Sequence, residues 1–474
     1  MFPLIRYRRG VAVLALALPL LMMDHTFADR ETDRLQPWAE DARYWQYRGQ
    51  PILLIGASNE DNLFNHPELP PDGLAAHLDR MAAVGGNYVR NTMSSRDDGN
   101  VWPFARDPQT GLYDLHQLGD AYWHRFEQFL ATTAERGIIV QIEVWDRFDF
   151  AREPWQNNPF NPKNNVNYTA AVSGLPERID THPGQRENPF FRSIPELEDN
   201  ALIRPFQKAI VQRMLDISLP HDHVIYCISN ETNDSEQWSR YWARFLRSAA
   251  ERHGVGIEVT EMWDMWDMRH AMHARTFDHP DVYSFVDVSQ NSHQQGQMQW
   301  DRLQWVRQRV ADPPRPVNSV KMYGGHHGGG PDEGQHKLWR NILGGTASAR
   351  YHRPGGGMGL NDVTTAHLRS LGMVRERVNL FAMAPANELL IDRNDDEAYL
   401  AAEPGRQYVA YFPNGGRVTL DFGDGGGRRS YRMQWLDVLS SDWGEPAEAT
   451  GERVTLEPPD EGPWAIVLVR HASD

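Results

Sequence analysis

A single cysteine, Cys227, in 474 residues excludes an intrachain disulfide and any multi-cysteine zinc or iron–sulfur site. Lysine is almost as scarce, with only Lys163, Lys208, Lys321 and Lys337 among 48 basic residues. Basic residues are outnumbered by 64 acidic ones, and the resulting charge of −16 argues against a nucleic-acid partner, because phosphate backbones are held by clustered Lys and Arg. No apolar stretch reaches the roughly 18 residues of a membrane span. G-x-S-x-G, the P-loop and a strand-linked G-x-G-x-x-G are all missing, which lowers serine hydrolases and nucleotide enzymes. What the chain does have is 40% hydrophobic residues, enough for a large core, and 16 tryptophans, whose flat rings with a polar edge suit groove-shaped and sugar-binding sites.

Residues 1–28 read as a secretory signal peptide: Arg6, Arg8 and Arg9, an apolar run from Val11 to Met23, and Thr26-Phe27-Ala28 as a small-residue cleavage site. The alternative is an uncleaved anchor. Cleavage leaves 45 basic against 63 acidic side chains, a balance of −18. The expectation is a periplasmic or secreted protein without stable membrane insertion. Its oligomeric state is not set by the sequence.

From Pro51 to Pro354, β-branched runs alternate with amphipathic stretches. The runs are Ile52–Gly56, Asn87–Asn91, Ile138–Trp145, Val224–Ser229, Ile257–Met262, Tyr283–Val288, Val317–Met322 and Thr346–Tyr351. Helical patterns at Gly73–Val84, Ala121–Arg136, Phe206–Ile217 and Trp238–His253 fall between them. The pattern predicts an α/β fold, a (β/α)8 TIM barrel over residues 29–385. A doubly wound sheet is the rival, but polar and aromatic residues collect after nearly every run, where a barrel has its functional rim. The Asn- and Pro-rich insert at 154–200 is either a wall of the cleft or a mobile excursion. From residue 386 to 474, short alternating segments divided by Gly, Asp and Pro predict a small all-β sandwich, with Asn414-Gly415 as a hairpin signal.

The strongest local feature is Val224-Ile225-Tyr226-Cys227-Ile228-Ser229-Asn230-Glu231. A strand ending in Asn-Glu presents a carboxyl group beside an amide that can bind a hydroxyl, as glycoside hydrolysis requires. The plainer reading makes Asn230 a helix cap and Glu231 a first-turn acid. At the end of a fourth strand the pair resembles the clan A glycoside hydrolases, which implies Glu231 as general acid/base and Asn230 as partner of the sugar 2-hydroxyl. Gly344-Gly345-Thr346-Ala347-Ser348-Ala349-Arg350-Tyr351-His352-Arg353-Pro354, with Tyr408-Val409-Ala410-Tyr411-Phe412 and Trp435-Leu436-Asp437 downstream, is similar to the apiosidase-like and cellulase-like barrels that carry a C-terminal β-sandwich named for collagen binding.

One departure stands out. The resemblance implies a glutamate nucleophile on the seventh strand, and Lys321 stands there instead. A lysine has the wrong charge for that task. Either another carboxylate serves, or the enzyme inverts using a distant base, or the chain binds glycans without cleaving them. Glu261 and Glu143 lead the candidates for the second carboxylate, with Asp146, Asp264 and Glu333 behind. Lys321 as the base of a lyase or isomerase is a further option. Substrate-binding candidates at strand ends are Asn230, Arg90, Asn91, Trp145, Asp146, His293, Lys321, Tyr323, Arg350 and His352. Trp263 and Trp266 suit a helix face or the core. His221 and His223 read as surface residues. His326, His327, Glu333 and His336 match no zinc spacing, and Asp392–Glu397 lacks the EF-hand pattern, so neither a metal nor another cofactor is expected. The partner expected is a carbohydrate substrate.

Overall fold

The computed structural model describes residues 33–65, 73–185, 187–325, 328–356, 358–423 and 430–471. The expected signal peptide, His326 and His327 lie outside them. Among the described residues, eight parallel strands succeed one another: β1 Leu54–Ala57, β2 Tyr88–Thr92, β3 Ile139–Asp146, β4 Val224–Asn230, β5 Val259–Thr260, β6 Val286–Asp287, β7 Val317–Met322 and β8 Ser348–Tyr351. They form two four-stranded sheets, ordered β5-β4-β3-β2 and β6-β7-β8-β1. The ladder is therefore not continuous. At one seam the Asn87 amide donates to the Ile55 carbonyl (2.8 Å) and the Ile55 amide to Asn87 Oδ1 (2.9 Å). At the other the Ser284 amide donates to the Val259 carbonyl (3.0 Å).

Four helices between the strands, α1 Gly73–Ala82, α2 Asp120–Glu135, α3 Arg204–Ser218 and α4 Glu236–Arg252, are amphipathic and each bury one side. In α4, Glu236–Arg252, the buried residues Trp238, Trp242, Leu246 and Ala249 recur every three or four positions; Ser235 caps the helix by accepting from the Gln237 amide (3.1 Å). The strands are buried on both faces, as parallel strands covered by helices must be. The inner face is unusual: Arg90, Gln141, Glu143, Asn318, Lys321 and Arg350 are all buried there. Such groups persist in an interior only when paired. A hairpin of residues 45–52 covers the strand starts, with Trp45 Nε1 donating to Asn318 Oδ1 (2.9 Å).

The described residues between 147 and 203 pack together as a wall. Phe150 stacks on Phe190 (4.2 Å between centroids), and Asn158, Asn161, Asn164 and Asn188 each donate to backbone carbonyls, which explains the Asn-rich composition. The C-terminal region is sheet-rich. Tyr399–Glu403, Gln407–Phe412, Trp464–Arg470 and Ser430–Asp437 pair antiparallel in that order. Alternate residues of this sheet face two cores. Tyr399, Val409 and Tyr411 join the core of Trp339 and Leu368, while Leu400, Tyr408 and Ala410 close another with Leu390, Leu420 and Leu456. Trp339 stacks on Tyr411 at 5.0 Å. Two expectations fail. Asn414-Gly415 turns no hairpin, because Gln407–Phe412 and Val418–Asp421 belong to different sheets and the chain crosses between them there. His223 is buried and bonded to Thr133 Oγ1 (3.0 Å), the exposed start of a strand being covered by α2, Asp120–Glu135.

Candidate active site

Glu231 sits on a bulge. Cys227 of β4 lies opposite Thr260 of β5, yet beyond the strand ends Thr232 lies opposite Trp263, so β4 takes five steps where β5 takes three. The extra residues are absorbed at Glu231, whose φ of +55° is left-handed. A side chain in that conformation costs about 1–2 kcal/mol and persists only where the surroundings hold it. Here the Thr232 amide donates to the Met262 carbonyl (2.9 Å) and the Asp264 amide to the Thr232 carbonyl (2.8 Å), pinning the far side.

The near side is held by the seventh strand. Lys321 Nζ donates to Glu231 Oε1 (2.7 Å) and to Asn230 Oδ1, and Tyr323 Oη donates to the same Glu231 oxygen (2.8 Å). Burial would raise the Glu231 pKa, but the Lys321 charge and hydrogen bond, then Tyr323 and Arg90, outweigh it and hold the carboxyl at about 2. Glu231 is thus ionised in this arrangement. Asn230 Nδ2 donates to Asp146 Oδ1 (3.0 Å), and Arg96 pairs with the other Asp146 oxygen. Arg96 also reaches Asp149 (3.3 Å) and Asp61 (3.6 Å). Burial and the Asp146 charge push Asp149 up to about 7. The rings of His352 and His293 lie 4.7 and 5.3 Å from Tyr323. Lys337 Nζ, fully buried, donates to the carbonyls of Ser292, Tyr323 and Gly328 (2.6–2.9 Å) and so fixes the backbone after β7.

Beneath these groups Arg90 lies between two carboxylates. It bonds Asp61 and stands 2.7 Å from Glu143 Oε2, with Arg90 and Glu143 both fully buried. Among the described residues Arg90 is the cation that Glu143 pairs with. Arg353 also meets Asp61 (2.8 Å), and these cations hold the Asp61 carboxyl well below its usual range although burial opposes them. Arg350 donates to Ser58 and to the Val320 carbonyl, tying β8 to β1 and β7.

The structure therefore brings together Glu231, Asn230, Asp146, Lys321, Tyr323, His293 and His352, with Arg90 and Glu143 below. Asp264 adjoins them from the end of β5, its amide on the Thr232 carbonyl next to Glu231; the remaining expected residues lie elsewhere. Glu261 faces the helix layer: its Oε1 accepts from the amides of Ser229 (2.8 Å) and Met262 (3.0 Å), and burial drives its pKa to about 8 against these bonds and that from Ser239 of α4. Trp145 packs on Trp242 (5.0 Å) and Trp238 (5.8 Å) of the same helix. Asn91 accepts from the Leu63 amide (2.7 Å) and so shapes the loop after β1. Trp263 and Trp266 separate, the first buried with Nε1 on Thr276 (2.6 Å), the second 57% exposed. Among the described residues no His, Cys, Asp and Glu side chains group as a metal site. Sequence reasoning missed Arg96, which joins three carboxylates from a loop with no motif around it.

No family model and no curated protein matches the sequence. Solved structures do match. A glycoside hydrolase family 5 protein from Bacteroides vulgatus aligns with a TM-score of 0.62 over 93% of this chain and 94% of its own, at 12% identity. A second structure described as a glycoside hydrolase gives 0.62 over 94% and 98%, also at 12%. The α-amylase of Geobacillus thermoleovorans, in complex with acarbose, gives 0.53 over 88% and 98%, at 10%. The fold is of the TIM-barrel type. In a TIM barrel the C-terminal strand ends carry the functional groups. Glu231, Lys321, Tyr323 and Asp146 all stand at that end of the barrel.

Proposed function

We propose that the chain is a glycoside hydrolase that cleaves a poly- or oligosaccharide at Glu231, with a second carboxylate that does not come from β7. The observation that carries this reading is Glu231 itself: a strained, ionised carboxylate at the mouth of a TIM barrel, gripped by Lys321 and Tyr323 beside the Asn230 amide. Strain of this kind is retained at functional sites and otherwise relaxes. The fold shared with glycoside hydrolases supports the substrate class. We extend the proposal to an apiosidase-like or cellulase-like barrel over residues 29–385, a sandwich domain over 386–474, and a periplasmic or secreted location after loss of residues 1–28. The test is release of new reducing ends from neutral oligosaccharides by the wild type and its loss in Glu231→Gln.

A second reading, a glycan-binding protein that no longer cleaves, is favoured by Lys321 in the expected place of a nucleophile. It predicts calorimetric binding of oligosaccharide with no product. Trp266 bears on both readings. Its ring is exposed after β5, and its carbonyl accepts from Gln294 (3.3 Å), next to His293 of the site. Stacking on a sugar face needs such a ring. Trp266→Ala is expected to leave the urea midpoint unchanged and to weaken oligosaccharide binding about tenfold, roughly the worth of one aromatic contact. Unchanged affinity would remove Trp266 from the cleft.

A further inference from the structure

The general-acid role implied for Glu231 meets a geometric obstacle. A general acid must carry a proton to the leaving oxygen, whereas Glu231 Oε1 already accepts from a lysine ammonium and a tyrosine hydroxyl. Two donors on one oxygen, one of them cationic, define a carboxylate anion. Its Oε2 takes no hydrogen bond among the described residues and is free to react.

The proton donor must then be another group, and the surrounding carboxylates can be taken in turn. Asp61 is bound by Arg90 and Arg353, and Glu143 is buried against Arg90. Asp146 is held by Arg96, Asn230 and the Phe148 amide, and Asp149 by Arg96, the Ser94 hydroxyl (2.6 Å) and the Ser95 amide (2.8 Å). Glu261 is turned to the helix layer. Asp287 is spent on the amide and hydroxyl of Ser289 (2.9 Å each). Asp264 differs from all of these. Among the described residues its carboxylate has neither a hydrogen bond nor an ion pair. Its amide is bonded to Thr232, the residue after Glu231, so the two acids stand on adjoining strand ends. It is half-buried, and the insert covers it: a Cβ on Gly184 would lie 3.3 Å from Asp264 Oδ2.

We propose, on the glycosidase reading above, that the roles are exchanged: Asp264 is the proton donor and Glu231 Oε2 is the nucleophile, supplied by the fourth strand. In the first step the bond between the anomeric carbon and Glu231 Oε2 forms as the glycosidic carbon–oxygen bond breaks, and the Asp264 proton passes to the leaving oxygen. In the second, water attacks the anomeric carbon, the ester bond to Oε2 breaks, and Asp264 takes the water proton. Lys321 and Tyr323 stay on Oε1 throughout and keep the leaving carboxylate stabilised. The electrostatics agree. Burial, then the Glu231 charge, raises Asp264, while Glu231 is held low, and paired groups driven apart in this way take opposite acid–base roles. A carboxylate held at about 2 is also a poor proton acceptor, which favours direct attack over activation of a water.

The test uses the full chain and a panel of 2,4-dinitrophenyl and plain alkyl glycosides of neutral sugars. Asp264→Asn should lose at least about a hundredfold in kcat/KM on alkyl glycosides, as loss of a general acid does, and less than about tenfold on dinitrophenyl glycosides, whose leaving group needs no proton. A 2-fluoro glycoside should leave a glycosyl ester on the peptide containing Glu231, read by mass spectrometry on the wild type, which sidesteps any folding defect of the variants. Equal loss of Asp264→Asn on both substrate types, no loss on either, or an ester on any other residue would overturn the exchange alone. A wild type that cleaves no glycoside would overturn the glycosidase reading and this inference with it.

Discussion

Arg90→Met is expected to lower the unfolding free energy by about 3–5 kcal/mol, the cost of leaving a buried charge without its partner. Arg90 serves two carboxylates, Asp61 and Glu143, and among the described residues Glu143 has no other cation paired with it. Methionine fills similar volume, so the loss reads the charge more than a cavity. Urea unfolding followed by tryptophan fluorescence checks it. If the account is right, adding Glu143→Gln and Asp61→Asn to Arg90→Met should recover part of the loss, because the stranded charges are then gone. A single-variant effect below about 1 kcal/mol would mean that these carboxylates do not depend on Arg90.

Lys321→Met should lower kcat/KM at neutral pH by about a hundredfold, within the range found for removal of one preorganised charged donor. The pH profile should move as well, in a defined direction. Lys321 is the largest influence holding Glu231 down against burial. With that cation gone, burial prevails, the Glu231 pKa rises, and the acid limb of kcat/KM shifts to higher pH. The same substitution removes the donor that positions Asn230. An acid limb that stays in place would contradict the assignment of Lys321 as the group that keeps Glu231 ionised. Lys321→Arg tests the charge separately from the geometry: it restores the cation but not a point donor of lysine's reach.

The framework was legible where side-chain pattern and backbone agree. Val317–Met322 has the bounds read from the sequence, and the amphipathic stretch around Trp238 became α4. β5 and β6 came out at two residues each where six were expected. Side chains replace the ladder there: Ser284 Oγ accepts from the Val259 amide (3.0 Å), and Thr260 Oγ1 donates to the Phe285 carbonyl (2.8 Å). That substitution has no signature in hydrophobic period. The same limit explains the site. Asn230-Glu231 was visible because an apolar run stops abruptly at a polar pair. The direction of Glu261 was not, because the bulge between β4 and β5 shifts facing by an amount that only pairing reveals. Trp145 looked like a rim residue by its position at a strand end, but its ring fills the aromatic cluster on α4. Lys321 was visible as a misplaced charge, and only the fold supplies Glu231 as its partner.

The most direct measurement compares wild type and Glu231→Gln on the neutral glycoside that the wild type turns over best. The account predicts at least a thousandfold lower kcat/KM in the folded variant, since the glutamine keeps the shape and loses the nucleophile. Equal turnover by the two proteins, or a wild type that binds sugar and releases no product, would contradict it.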